Sequence, residues 1–118
     1  MVIIMHFRQR ERGSIVIFEY VSGGGPGSFQ KDLVLEGFSM VSVLFSAFSA
    51  LDGLFPSLIL RKDITLSSDK GGGTIIPVNP GEGEELFISE CRRSEYAVLI
   101  APETDGISER ISGLLPET

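Results

Sequence analysis

The chain has 118 residues, of which 42% are hydrophobic and 22% are charged, and its formal net charge is −6. This length suits one domain with a real core, and the acidic balance disfavours a surface for nucleic acid or anionic lipid. The single cysteine, Cys91, excludes an intrachain disulfide, and the single histidine, His6, argues against a zinc site on this chain.

Residues 1–13 are predicted to be an extension ahead of the fold. They hold a short apolar patch followed by Arg8, Arg10 and Arg12, and they lack the long apolar stretch and cleavage site of a signal peptide. The uncharged run at residues 37–51 is shorter than the ~20 residues of a membrane span. We therefore expect a cytoplasmic protein, without a membrane partner, whose domain spans residues 14–118.

The strong pattern begins with a strand, a loop and a long helix. Residues 15–21 are β-branched and aromatic with one charge, which is typical of a strand covered on both faces in a parallel sheet. Residues 22–27, Ser-Gly-Gly-Gly-Pro-Gly, form a loop. Apolar residues then recur at helical spacings and predict the core face of a helix that ends near Gly53: Leu33, Gly37, Met40, Leu44, Ala47 and Leu51.

The other side of this helix is hardly polar. A serine stripe lies beside bulky apolar residues: Ser39, Ser42, Ser46 and Ser49 next to Phe38, Val41, Phe45 and Phe48. Two interpretations stay open. The domain's own core buries these aromatic residues, or they form an interface with another domain or subunit.

The second half alternates short strands and helices. Strands are predicted at residues 58–60, 74–78 and 96–101. A helix is predicted to begin at Asn79 as its N-cap, with Pro80 at the first helical position and Glu82 reaching back. A last short amphipathic helix begins at Ile107.

This order of elements predicts an α/β fold: a three-layer sandwich with a mainly parallel sheet of about four strands. Right-handed crossovers place the first predicted strand in the centre, between the second and the last. In such sheets ligands bind beyond the carboxyl ends of the strands, near the point where the strand order reverses. The loops after the first and last strands flank that point and supply the candidate substrate-binding residues: Glu19, Ser22, Gly23, Gly24, Gly25, Glu103 and Asp105.

Each candidate also has a structural interpretation. Glu19 is a charge on a buried-looking strand, so it needs a partner, a loop to cap or a water-filled cleft. The glycines form either a flexible turn that lets the helix pack closely or a surface of bare amides for a substrate. Asp105 is expected to cap the last helix, and Glu103 either faces the cleft and binds an amine or is structural.

Several nucleotide and nucleophile motifs are missing. A dinucleotide fingerprint starting at Gly23 would need a glycine where Ser28 stands. No Walker loop and no Gly-x-Ser-x-Gly elbow occurs. We therefore assign no catalytic residue and no metal ligand.

Three segments carry a family resemblance: FEYVSGGG at residues 18–25, LEGFSM at 35–40 and YAVLIAPETDGI at 96–107. In this order and spacing they resemble the N-terminal, Rossmann-like pre-ATP-grasp domain of archaeal ATP-grasp ligases, of which the tyramine–glutamate ligase-like proteins are the nearest group. The resemblance implies that the full enzyme uses ATP and Mg²⁺ to activate a carboxylate as an acyl phosphate, which an amine then attacks.

In that architecture this domain supplies a wall of the substrate cleft and packs on the central and C-terminal domains, which grip the nucleotide. The chain stops at Thr118, before those domains, so we expect no cofactor and no complete catalysis from it alone. The expected partners are the ATP-grasp domains or a homodimer partner, together with a small carboxylate or amine substrate. The alternative is a non-enzymatic Rossmann-like or flavodoxin-like module that binds a small ligand or self-associates.

Overall fold

A computed structural model describes residues 2–7, 11–27, 29–64, 73–102 and 106–114 of the chain. The secondary structure in these ranges follows in chain order: β1 Val2–Phe7, β2 Glu11–Glu19, α1 Lys31–Ser49, β3 Phe55–Arg61, β4 Thr74–Val78, α2 Gly83–Cys91, β5 Ser94–Ala101 and α3 Ile107–Leu114.

The strands form one sheet in the order β1-β5-β2-β3-β4. The four strands from β2 to β5 are parallel to one another, and β1 pairs with β5 in antiparallel orientation, with Val2 opposite Ala101. The predicted mainly parallel sheet is confirmed, and so is the central place of its first strand, since β2 lies between β3 and β5. The domain is a Rossmann-like α/β three-layer sandwich.

The sheet reaches into the segment that the sequence assigns to an extension. β1 lies wholly within residues 1–13, and β2 begins at Glu11. The backbone hydrogen bonds of β1 go to β5, which is almost a hundred residues away in the chain. Its segment, Val-Ile-Ile-Met-His-Phe, suits a strand, but its place in the sheet is decided by β5, which local pattern does not indicate.

The two faces of the sheet are covered by different helices. α1 packs over β2 and β3, and α2 and α3 pack on the opposite face. Phe18 of β2 stacks on Phe87 of α2 with ring centroids 4.9 Å apart, and neither side chain is exposed to solvent. This contact anchors the centre of the α2 face.

The predicted core face of α1 is right only in part: Gly37 is buried, and Met40 and Leu44 are partly buried against the core, but the fully buried residues lie mostly on the neighbouring flank. The buried residues of α1 are Val34, Gly37, Val41 and Phe45; Val41 and Phe45 pack on the sheet with Phe38 and Phe48 partly buried beside them, and Val34 joins the core cluster that contains Phe87 of α2. Leu33 and Leu51, predicted to be core, are 44% and 54% exposed. Because α1 is apolar on most of its circumference, helical spacing alone fits two adjacent faces. The domain's own core therefore takes the aromatic residues.

The predicted start of the second helix is also wrong. α2 begins at Gly83, its N-cap is Glu82, and no side chain caps it. Residues 79–82 form a turn in which the amide of Glu82 donates to the carbonyl oxygen of Asn79 over 3.0 Å. The amides of Gly81 and Gly83 both donate to the carbonyl oxygen of Gly24. These bonds to the loop after β2 outweigh the local capping preference of Asn79.

Candidate functional site

The loop that follows β2 lies at the carboxyl edge of the sheet and is organised by Glu19. The Glu19 side chain is only 1% exposed. Its carboxylate accepts hydrogen bonds from the amide of Val21 over 3.1 Å and from the amide of Ser22 over 2.7 Å. Bonds from two amides compensate a buried carboxylate for its lost hydration. The sequence left three interpretations of Glu19 open: a partner, a loop to cap or a water-filled cleft. In the structure its carboxylate caps the loop that follows it.

The amides of the three consecutive glycines also have internal acceptors. The amide of Gly23 donates to the Glu19 carbonyl oxygen and that of Gly25 to the Tyr20 carbonyl oxygen, both over 2.8 Å. The amide of Gly24 lies 3.5 Å from the Val21 carbonyl oxygen, a longer contact. A phosphate or carboxylate ligand would have to displace these bonds to reach the backbone. A substrate-binding role for Ser22 and the three glycines stays a prediction.

Close packing explains the glycines around this loop. A Cβ atom on Gly83 would overlap the carbonyl oxygen of Gly23, and one on Gly37 would overlap the Glu19 carboxylate. Gly24 has a φ of +83°, which favours glycine. The loop therefore joins β2 to the first turn of α2, and Glu19 beneath it meets the buried face of α1.

The Ser22 hydroxyl differs from the loop amides. It is buried and has no hydrogen-bond partner among the residues described. The backbone carbonyl oxygen of Ser22 accepts a hydrogen bond from the amide of Arg61 over 2.9 Å. Ser22 thus ties the ends of β2 and β3 together through its backbone, and its side chain contributes an unpaired polar atom to the interior.

A polar cluster missed by the sequence analysis lies beside this edge. Arg110 of α3 donates two hydrogen bonds to the Glu84 carboxylate in the first turn of α2, over 2.9 and 2.7 Å. The Tyr20 phenol lies next to Arg110; burial raises the pKa of Tyr20, and the Arg110 charge opposes that rise. The two ion-pair residues are on separate helices, so no spacing in the sequence links them. Arg110 is already engaged and offers little to an anionic ligand.

The segment after β3 forms a local ion pair. Arg61 donates from Nε and Nη2 to the two carboxylate oxygens of Asp63, over 3.0 and 2.7 Å. The guanidinium group holds the pKa of Asp63 below its usual value.

Glu103 and Asp105, the candidates after β5, lie outside the described residues. Within the described ranges, no group of three or more His, Cys, Asp or Glu side chains is arranged to hold a metal ion.

An open apolar groove runs along α1 on the face of the sheet opposite α2. We call it the α1 groove. It has a volume of about 500 Å³, and its walls are Ser39, Met40, Val43, Leu44 and Ala47 of α1 and Ile100 of β5. Val43 is 72% exposed, a high value for an apolar residue in the middle of a helix. The sequence indicates that α1 is short of polar residues, but its open apolar surface lies on the flank of Met40, Val43 and Ala47 and not on that of the phenylalanines.

By length and composition alone, α1 is also apolar enough to cross a membrane, a test that core helices of soluble proteins pass as well. Here one side of the helix packs on β2 and β3.

No protein-family model matches the chain, and no curated protein or solved structure matches it either. The fold class and the α1 groove are therefore the basis for a functional interpretation.

Proposed function

We propose that this chain is a docking domain that binds another folded unit through the α1 groove. The observation that carries the proposal is the apolar lining of the groove, with Met40, Val43 and Ala47 on one wall and Ile100 on the other. Contiguous apolar surface on a soluble domain is typical of an interaction site. The carboxyl edge supports ligand binding less well, because the loop amides and Arg110 already have partners.

We further propose that the assembly is an ATP-grasp carboxylate–amine ligase, with this chain as its substrate-side N-terminal domain. The support is the resemblance carried by residues 18–25, 35–40 and 96–107, and the Rossmann-like sandwich is compatible with such a domain. ATP, Mg²⁺ and the chemistry of acyl transfer belong to the other domains. Glu103 remains the candidate for contact with an amine substrate, and Asp105 remains a candidate substrate-binding residue beside it.

A helical probe tests the docking function. A fluorescein-labelled amphipathic Leu-rich peptide is titrated with the protein, and its anisotropy is measured. We expect saturable binding that Val43→Gln weakens by about tenfold, equivalent to about 1.4 kcal/mol. The matched control is Leu35→Gln, because Leu35 is 47% exposed on the same helix and does not line the groove. Equal effects of the two substitutions, or no saturable binding, would refute docking at this groove.

The genomic sequence that follows the codon for Thr118 tests the ligase assignment. An ATP-grasp segment in frame, or in an adjacent gene, supports it. A terminator with no such gene beside it would remove the support for the ligase and leave the docking function to stand on the peptide experiment alone.

A further inference from the structure

The two edges of the sheet differ in what their backbones offer to an added strand. Among the described strands, β4 forms one edge and β1 the other. The amide of Lys62, just after β3, donates to the carbonyl oxygen of Val78, so the backbone groups of Val78 point to β3. By alternation along β4, those of Ile75 and Pro77 point outward. Because proline has no amide hydrogen, the β4 edge is a poor template for a further strand.

The β1 edge has no such block. In β5, the carbonyl oxygen of Ile100 accepts a hydrogen bond from the amide of Tyr20, so the backbone groups of Ile100 point to β2 and those of Leu99 point to β1. Leu99 lies opposite Ile4, so Ile4 and every second residue of β1 bond to β5. The backbone groups of the alternate residues point away from the sheet: Ile3, Met5 and Phe7.

An edge of this kind selects its partner by backbone chemistry. Amides and carbonyl oxygens that recur at every second residue are matched by an extended strand. A second copy of the chain brings an edge of the same length and pattern. Residues 2–7 carry no formal charge at pH 7, so two such strands can lie side by side without like-charge repulsion.

The blocked β4 edge also favours a second copy as the partner. If two copies pair through β1, both open edges are used up, and Pro77 hinders further growth at the outer ends. The assembly then closes at two copies, as a symmetric dimer requires.

We infer that two copies of this chain pair through β1 in antiparallel orientation and join their sheets into one. A two-fold axis perpendicular to the sheet sets Met5 opposite its own counterpart and Ile3 opposite Phe7 of the second copy. Each of these pairs exchanges two hydrogen bonds, so every outward group of β1 gains a partner. The interface lies at the edge of the sheet, does not use the α1 groove, and goes beyond the docking function proposed above.

Amide hydrogen exchange, followed residue by residue with NMR spectroscopy, tests this pairing in the native chain. In a monomer the amides of Ile4 and His6 are bonded to β5 and exchange slowly, whereas those of Met5 and Phe7 exchange quickly. In the dimer we expect Met5 and Phe7 to be protected as well. Their exchange should slow at least about tenfold between about 10 and 500 μM protein, because dimerisation depends on concentration.

A proline substitution supplies the second readout. Met5→Pro removes an amide from the centre of the pairing but none of the bonds to β5, and Pro77 already occupies an outward position on the other edge. We expect it to raise the dimer dissociation constant, measured by sedimentation, at least about tenfold. Met5→Leu is the matched control, because it keeps the amide and changes only the side chain. Circular dichroism checks that both variants are folded.

Three results would overturn the inference. The first is a native chain that stays monomeric, and the second is a dimer in which Met5 and Phe7 still exchange quickly. The third is protection of these amides in a monomer, since another part of the same chain would then cover the edge. The Val43→Gln peptide experiment is independent of all three, so a failure here leaves docking at the α1 groove to its own test.

Discussion

Replacing Gly37 by alanine tests the contact between α1 and the loop after β2. Gly37 lies on the buried face of the helix, and an added Cβ would overlap Oε1 of Glu19 and lie 2.6 Å from its Cδ. The carboxylate is not free to move away, because it holds the amides of Val21 and Ser22. The substitution therefore sets a methyl group against a buried, hydrogen-bonded charge.

Two opposing effects set the size of the change. Alanine in place of glycine inside a helix stabilises it by about 1 kcal/mol. Displacing the Glu19 carboxylate breaks two hydrogen bonds to a charged group, each worth roughly 1.5–3 kcal/mol. The balance is a loss of about 2–5 kcal/mol in the free energy of unfolding. The steric effect wins over the gain in helix propensity.

Urea denaturation measures this loss, and two further variants make it specific. Gly113→Ala is the control in α3, where a Cβ would meet nothing within 4 Å; we expect it to stabilise the protein by up to about 1 kcal/mol. In a Glu19→Ala background the obstacle is gone, so Gly37→Ala should no longer destabilise. A Gly37→Ala protein as stable as the native chain would refute the reasoning.

Three further substitutions probe the same edge of the sheet. Ser22→Ala removes an unpaired buried hydroxyl and should leave the free energy of unfolding unchanged or raise it by about 1 kcal/mol; a clear loss in urea denaturation would show that the hydroxyl has a partner. Arg110→Ala breaks a pair whose side chains are 46% and 18% exposed, so it should cost at most about 1 kcal/mol, and less in high salt; a larger, salt-independent cost would contradict this. Because burial raises the pKa of Tyr20 above its usual 10.0, the unfolded chain ionises first, and stability should fall as the pH rises past about 10. Tyr20→Phe should reduce that fall, and identical alkaline stability curves for the two proteins would exclude it.

The core of the fold could be predicted because its signals are local. The run at residues 15–21 is apolar and β-branched, and a parallel strand buried on both faces needs such a run. The alternation of strands and helices then limits the topology through the handedness of crossovers. The position of β1 depends on hydrogen bonds to β5, and the start of α2 depends on bonds to Gly24. These distant partners leave no mark in the local pattern.

The candidate site, like the fold, could be predicted only in part. A glutamate inside a buried strand needs hydrogen-bonding partners, and Glu19 has two. The sequence did not identify them as the amides of the loop that follows Glu19. Which flank of α1 stays open could not be read from the sequence, because Leu33 and Val34 belong to two equally apolar faces. The choice is made by the position of the helix over β2 and β3.

The pairing of β1 with β5 constrains the order in which the chain folds. β1 precedes every other strand in the sequence, yet its partner runs from Ser94 to Ala101. During synthesis β1 therefore cannot pair until β5 has been made, and closing the long loop between the two strands is entropically costly. Until then its residues, Val-Ile-Ile-Met-His-Phe, contain neither a proline nor an acidic or lysine side chain to discourage pairing with other chains. Late docking of this strand makes the nascent chain most vulnerable to aggregation just before synthesis reaches β5.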